Sequence, residues 1–88
     1  MSRTPEQVAA DDALTAAIEK WLQAYDPDDE PRILGEYVVH ARIRVFDEDG
    51  DALTHHALIP RDGYVPTDLM LGMTEYAATL LRNRITED

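Results

Sequence analysis

The spacing of hydrophobic residues changes twice along the chain and predicts a helix, a β-hairpin and a second helix. In the first segment, apolar side chains recur every three or four residues, as on one side of a helix. They are Leu14, Ala17, Ile18, Trp21, Leu22 and Tyr25. Thr4, Pro5 and Gln7 predict the start of this helix, because the Thr hydroxyl can accept a backbone N–H and Gln can reach back. Pro27 predicts that it ends by Asp26.

Between residues 36 and 46 the period becomes two, which predicts a β-strand. One face carries Tyr37, Val39, Ala41, Ile43 and Val45, and the other carries Val38, His40, Arg42, Arg44 and Phe46. An acidic turn follows at residues 47–51, where a left-handed Gly50 would give a bulged hairpin loop that pairs Val45 with Leu53. We prefer this register to that of a tight two-residue turn, because it keeps most apolar side chains on one face.

A second helix is predicted after the hairpin. The stretch from Pro60 to Gly63 ends the second strand, and Thr67 or Asp68 can cap the helix. Its apolar stripe consists of Leu69, Met70, Met73, Tyr76, Ala77, Leu80 and Leu81. We expect both helices to pack on one face of the hairpin and to bury their stripes there.

The chain as a whole predicts one small α+β domain ordered helix, two-stranded antiparallel hairpin, helix (αββα). Its limits are residues 1–88, with a core of about 5–85, an acidic loop at 26–35 and a hairpin turn at 47–51. Val38, Phe46 and Leu58 would remain uncovered on the outer face. Because long unpaired strands invite pairing, a four-stranded sheet across a homodimer is a hypothesis.

Composition excludes several classes of protein. The chain has 88 residues, no cysteine and a net charge of -10. It therefore has no disulfide, no Cys-based zinc site and no thiol nucleophile, and its charge argues against direct nucleic-acid binding. No apolar run reaches the ~20 residues needed to span a bilayer, and no secretory signal is recognisable. We expect a cytoplasmic location and no membrane association.

Two groups of side chains invite comparison with cation sites. Asp47, Asp49 and Asp51 are similar to a calcium loop, but their spacing differs from that of an EF-hand, and a solvated hairpin tip is the alternative.

The histidines are the second group. Adjacent strand residues point to opposite faces, so His55 and His56 cannot easily share one ion. Only His40 and His56, diagonal neighbours on the outer face, can converge, and they have no obvious third ligand. We predict no metal and no cofactor.

The outer face of the hairpin is the predicted interaction face, and we call its seven residues the basic face. They are Val38, His40, Arg42, Arg44, Phe46, His56 and Leu58. Arg42 and Arg44 could meet an acidic partner or a phosphate there. Their structural alternative is ion pairing with Glu36, with Asp47 or with an acidic loop of a second subunit.

Two stretches resemble a family of small uncharacterised proteins of actinobacteria and their phages. They are GEYVVHARIRVFDEDGD and GYVPTDLMLGMTEYAATLLRNRI, and the resemblance covers about residues 14–85. The resemblance implies a phage accessory product, or its relative in a host genome, in a bacterial or phage-infected cell. It supplies no functional residues.

The leading hypothesis is a non-enzymatic protein–protein interaction module that is homodimeric and binds a host protein. The sequence contains no glycine-rich loop of the kind that binds phosphates and no Ser, His and Asp in a context typical of a catalytic triad. We therefore predict that the protein is not an enzyme. One alternative is an acidic protein that mimics DNA and inhibits a DNA-binding protein. Another is a small metal- or ligand-binding protein that uses His40 and His56.

Overall fold

The computed structural model describes residues 2–87, and its elements follow the predicted order. They are helix α1 (Pro5–Tyr25), strand β1 (Val38–Phe46), strand β2 (Ala52–Pro60), a single 3₁₀ turn (Arg61–Gly63) and helix α2 (Thr67–Glu87). The two strands form one antiparallel two-stranded sheet. The α+β fold of helix, hairpin and helix is thus confirmed.

Helix α1 begins and ends where its sequence signals lie. The Gln7 N–H donates to the Thr4 hydroxyl at 3.1 Å, and the Thr4 N–H donates to the Gln7 side-chain oxygen at 2.8 Å. These reciprocal bonds form a capping box, which satisfies two backbone donors at the exposed helix start. At the other end, the Asp26 N–H donates to the Leu22 carbonyl oxygen, and Pro27 follows.

The start of α2 differs from the predicted cap. The Met70 N–H donates to the Pro66 carbonyl oxygen at 2.9 Å, so Pro66 holds the cap position. Thr67 and Asp68 lie in the first turn instead, and the prediction that one of them caps the helix is wrong. Asp68 there places a negative charge beside the positive end of the helix dipole.

The hairpin has the predicted register, with Val45 opposite Leu53. The Asp47 N–H donates to the Asp51 carbonyl oxygen, and the Gly50 N–H donates to the Asp47 carbonyl oxygen, each at 3.0 Å. Gly50 has φ of 84°, the left-handed conformation that this bulged turn needs and that glycine adopts without a Cβ clash.

Buried hydrophobic side chains occur at the end of the hairpin opposite the turn. Among the described residues, Tyr37 and Val65 are the two that form the core, with 8% and 2% of their surface exposed. The Tyr37 hydroxyl also shares a 2.6 Å hydrogen bond with the hydroxyl of Thr15 on α1. The centre of the fold is therefore a small junction at the hairpin base.

Arg61 ties the loop after α1 to this junction. Its Nη1 donates to the carbonyl oxygens of Leu34 and Gly35, at 2.6 and 2.9 Å. Its guanidinium carbon lies 5.9 Å from the centre of the Tyr37 ring, within the range of a cation–π contact. One arginine therefore holds the last residues of the acidic loop against the start of the hairpin.

Helix α1 meets the 3₁₀ turn through Arg3. The Arg3 Nη1 atom lies 2.7 Å from the Asp11 carboxylate and 3.7 Å from that of Asp62 in the turn. The hydrogen bond to Asp11 raises the pKa of the Arg3 guanidinium. Gly63 allows this approach, because a Cβ there would lie 3.3 Å from the Arg3 side chain and Gly63 has φ of 81°.

The expectation that both helices cover one face of the hairpin is wrong. No described residue of either helix is buried, and Trp21 remains 55% exposed, stacked on Tyr25 at 4.6 Å between ring centres. Two strands are only about 10 Å wide, the diameter of a single helix, so they cannot hold two helices side by side. Helix α1 contacts the 3₁₀ turn at the base of the hairpin instead, and α2 lies across a groove from the start of β1.

The resulting molecule is extended for its mass. Its radius of gyration is 16.4 Å, against about 12 Å for a compact domain of this length. Its accessible surface is 7738 Å², against about 5,200 Å² for a compact monomer of this mass. Most of the side chains in the two predicted helix stripes contribute to this surface.

We expect opposite effects from alanine at two glycines. Gly50→Ala should lower the free energy of unfolding by about 1 kcal/mol, because it places a Cβ in a left-handed turn. Gly72→Ala, inside α2, should raise it by about 1 kcal/mol, because Ala favours a helix and no described residue outside the neighbouring helix backbone lies within 4 Å of the added Cβ. Urea unfolding followed by circular dichroism measures both. Destabilisation by Gly72→Ala would show that another backbone packs against this helix.

Replacing Arg61 should loosen the junction. Arg61→Met keeps an apolar stem but removes both hydrogen bonds to the loop carbonyls, and we expect a loss of about 2 kcal/mol in the free energy of unfolding. Arg42→Met is the matched control, since Arg42 lies on β1 and has no carboxylate within 4 Å among the described residues, and it should change stability by less than about 0.5 kcal/mol. Equal losses in both variants would contradict a specific role for Arg61.

Candidate interaction face

The ladder places all seven residues of the basic face on one side of the hairpin. His40 lies opposite Leu58, and Arg42 lies opposite His56. Even-numbered residues of both strands share this side because side chains alternate along a strand and directly paired residues point the same way. The surface is open, with Phe46 69% exposed at the turn end and Leu58 56% exposed near the base.

Arg42 and Arg44 occupy the middle of the basic face. Both are exposed, and the ion pairs formed within residues 2–87 at up to 4.0 Å involve Arg3, Arg32 and Arg61 instead. The alternative that Glu36 and Asp47 pair with these two arginines is therefore wrong. The Asp47 carboxylate instead accepts hydrogen bonds from backbone N–H groups of the hairpin turn.

His40 and His56 converge on the basic face, as the strand alternation predicted. The His40 Nε2 and His56 Nδ1 atoms are 2.7 Å apart, with ring centres separated by 5.0 Å. Such a bond requires a proton on one ring nitrogen and a lone pair on the other, and either ring can be the donor. The part of the chain that the structure describes brings no third His, Asp or Glu to this pair. His55 lies opposite Ile43 on the other face.

An apolar groove lies beside the basic face, between the start of β1 and the middle of α2. Its volume is about 480 Å³, and it is lined by Val38, His40, Met73, Thr74, Ala77, Ala78 and Leu81. Sequence reasoning missed the contribution of α2, because it assigned most of these helix residues to a buried stripe. The adjacent alanines Ala77 and Ala78 are the signal for a groove, since neither is large enough to fill the space against the strand.

The acidic hairpin tip is organised by hydrogen bonds within the turn. Carboxylate oxygens of Asp47, Asp49 and Asp51 lie within 4.8 Å of one another, and all three residues are exposed. The Asp47 Oδ1 atom accepts the N–H groups of Asp49 and Asp51, at 2.9 and 2.8 Å. This is the turn chemistry expected of Asp at such a position and fits the solvated-tip alternative.

Comparison with known proteins gives no relative. Neither a protein-family model nor a curated protein nor a solved structure matches the chain. The resemblance to actinobacterial and phage proteins stays a prediction. Within residues 2–87, neither 21-residue helix is apolar enough to cross a membrane.

The turn role of Asp47 can be tested by substitution. Asp47→Ala removes the acceptor of two backbone N–H groups and should lower the free energy of unfolding by about 1 kcal/mol, whereas Asp47→Asn keeps an oxygen acceptor and should cost clearly less. Thermal unfolding by circular dichroism compares the two. Glu48→Ala, one residue along the same tip, is the control and should change little. If Asn and Ala were equally costly, the charge of Asp47 would matter rather than its hydrogen bonds.

Proposed function

We propose that the protein is a non-enzymatic binding module that holds an acidic segment of a partner protein on its basic face. The observation that carries this proposal is that Arg42 and Arg44 have no acidic partner among the described residues. They lie side by side, exposed and without a carboxylate within 4.0 Å among the described residues, on a chain of net charge -10. Within residues 2–87, the many carboxylates of this acidic chain leave both strand arginines unpaired and available to an external anion.

Arginine suits a carboxylate partner. Its planar guanidinium presents paired N–H donors that match the two oxygens of Asp or Glu, and such charge-assisted pairs are stronger than neutral hydrogen bonds. Salt screens exposed charges over about 8 Å at physiological ionic strength, so distant acidic residues of the chain do not cancel the local positive charge. Complementary charge at this position favours acidic partners over basic ones.

Apolar contacts supply the rest of the proposed site. Phe46 and Leu58 are exposed at its two ends, and the groove beside Val38 is apolar. Interfaces gain most of their binding energy from a few apolar or arginine anchors surrounded by weaker contacts. From Val38 to Phe46 the face is about 26 Å long, at ~3.3 Å per residue, which suits an extended peptide of about eight residues. The partner segment would carry carboxylates at its centre and an apolar side chain near an end.

We propose no catalytic role for the basic face, because its ionisable side chains are exposed to solvent. Active sites bury the groups whose protonation the reaction requires. The resemblance to phage and actinobacterial proteins makes a host protein the partner that we propose.

Capture from a nuclease-treated actinobacterial lysate tests the function. The tagged protein is compared with the double variant Arg42→Gln/Arg44→Gln, and bound proteins are quantified by mass spectrometry. We expect one host protein in stoichiometric amount with the wild type and at least about a tenfold loss of its affinity with the variant, equivalent to about 1.4 kcal/mol.

The matched control is Arg82→Gln/Arg84→Gln, which removes the same two charges from the end of α2. It should retain the partner. Equal loss in both double variants would show that net charge, and not the basic face, governs capture. Recovery of the bait alone would contradict the proposed function in that lysate.

A further inference from the structure

Among the described residues, no strand pairs with the outer edge of β2, and the ladder shows which of its backbone groups point outward. The ladder is hydrogen-bonded at the Asp47–Asp51 pair and again where the Arg61 N–H donates to the Tyr37 carbonyl oxygen. In an antiparallel pair, residues alternate between bonding across the ladder and pointing away from it. With odd-numbered pairs bonded at both ends, the even-numbered residues of both strands direct their N–H and C=O groups outward. On β2 these are Ala52, Thr54, His56 and Leu58, followed by Pro60, which has no N–H.

The two edges of the hairpin differ in charge. Strand β1 carries Arg42 and Arg44 among its outward-bonding residues, and the groove with α2 flanks its start at Val38. Strand β2 is nine residues long and carries no Asp, Glu, Lys or Arg. Charged residues on an edge strand oppose pairing with another strand, and a long uncharged edge permits it. Two β1 edges brought together would also place arginines beside arginines, which costs energy.

The accessible surface of the chain is larger than that of a compact monomer. It exceeds that of a compact monomer of the same mass by about 2,500 Å², a third of the observed 7738 Å². Covering that excess on two chains would bury about 5,000 Å², within the range of obligate dimers. The exposed apolar side chains of the helices, Trp21 and Leu80 among them, are the kind of surface that such dimers bury.

We infer that a second copy of this chain pairs with the outer edge of β2, giving a four-stranded sheet in which the two β2 strands are central and the two β1 strands are outermost. A two-fold axis perpendicular to the sheet relates the copies, as antiparallel pairing of identical strands requires. The hydrogen bonds of this pairing lie in the plane of the sheet, whereas the side chains of the basic face point away from it, so the strand pairing itself does not cover the binding surface proposed there. It does not depend on the function proposed above.

Spin labels test the strand order directly. The chain has no cysteine, so His56→Cys and Arg42→Cys each give a single labelling site. Because residues 42 and 56 lie directly opposite each other in the ladder, they have the same offset along the strands from the two-fold axis, whatever the register. With β2 central, the two labels at residue 56 would be separated by one strand spacing and the two labels at residue 42 by three. The label–label distance at 56 should therefore be shorter than that at 42, by up to about 10 Å. The reverse order would overturn the inference.

Proline substitution and solution mass test the edge separately. Thr54→Pro removes an outward N–H from β2, and Arg44→Pro removes one from β1 at the position directly opposite, so both place equal strain on the hairpin. Light scattering at micromolar concentration should give a dimer for the wild type and for Arg44→Pro. Thr54→Pro should raise the dissociation constant of the dimer at least tenfold and so shift the protein towards monomer. A monomeric wild type, or a dimer lost only in Arg44→Pro, would overturn the inference. If both proline variants unfold, the label distances decide.

Discussion

The width of a two-stranded sheet governs the rest of this structure. Two strands span about 10 Å, enough to support one helix, whereas the chain carries two helices of 21 residues, each with an apolar stripe. Neither helix finds a complete surface within its own chain. What remains is a junction at the hairpin base, where Tyr37 and Val65 are buried and Arg61 joins loop to strand. The exposed helix stripes and the large accessible surface follow from that shortage.

Features that depend on near neighbours in the sequence could be predicted. The Thr4–Gln7 capping box needs residues three positions apart, and the bulged turn needs Gly50 in a left-handed conformation. Once that turn sets the register, every cross-strand relation follows, including the diagonal contact of His40 with His56. A turn and a period of two therefore determine most of the basic face, although its residues come from both strands.

Features that depend on where a helix docks could not be predicted. Periodicity shows which side of α2 is apolar but not which surface that side meets, and the pattern is identical for a surface supplied by the same chain or by another. Thus Met73 and Leu81 were assigned to a core, yet they line a groove open to solvent. Arg61 was also missed, because its acceptors are the backbone carbonyls of Leu34 and Gly35, which no side-chain pattern identifies.

The proposed dimer and the proposed binding surface have a common geometric consequence. A two-fold axis perpendicular to a sheet keeps each face on its own side, so both basic faces of the four-stranded sheet would point the same way. Four arginines, two from each copy, would then lie on one surface with the β1 strands about 14 Å apart. A partner with two acidic segments could engage both copies, and the second contact would form at an effective concentration set by the spacing of those segments. A face too small for tight binding in one copy would gain strength by being presented twice.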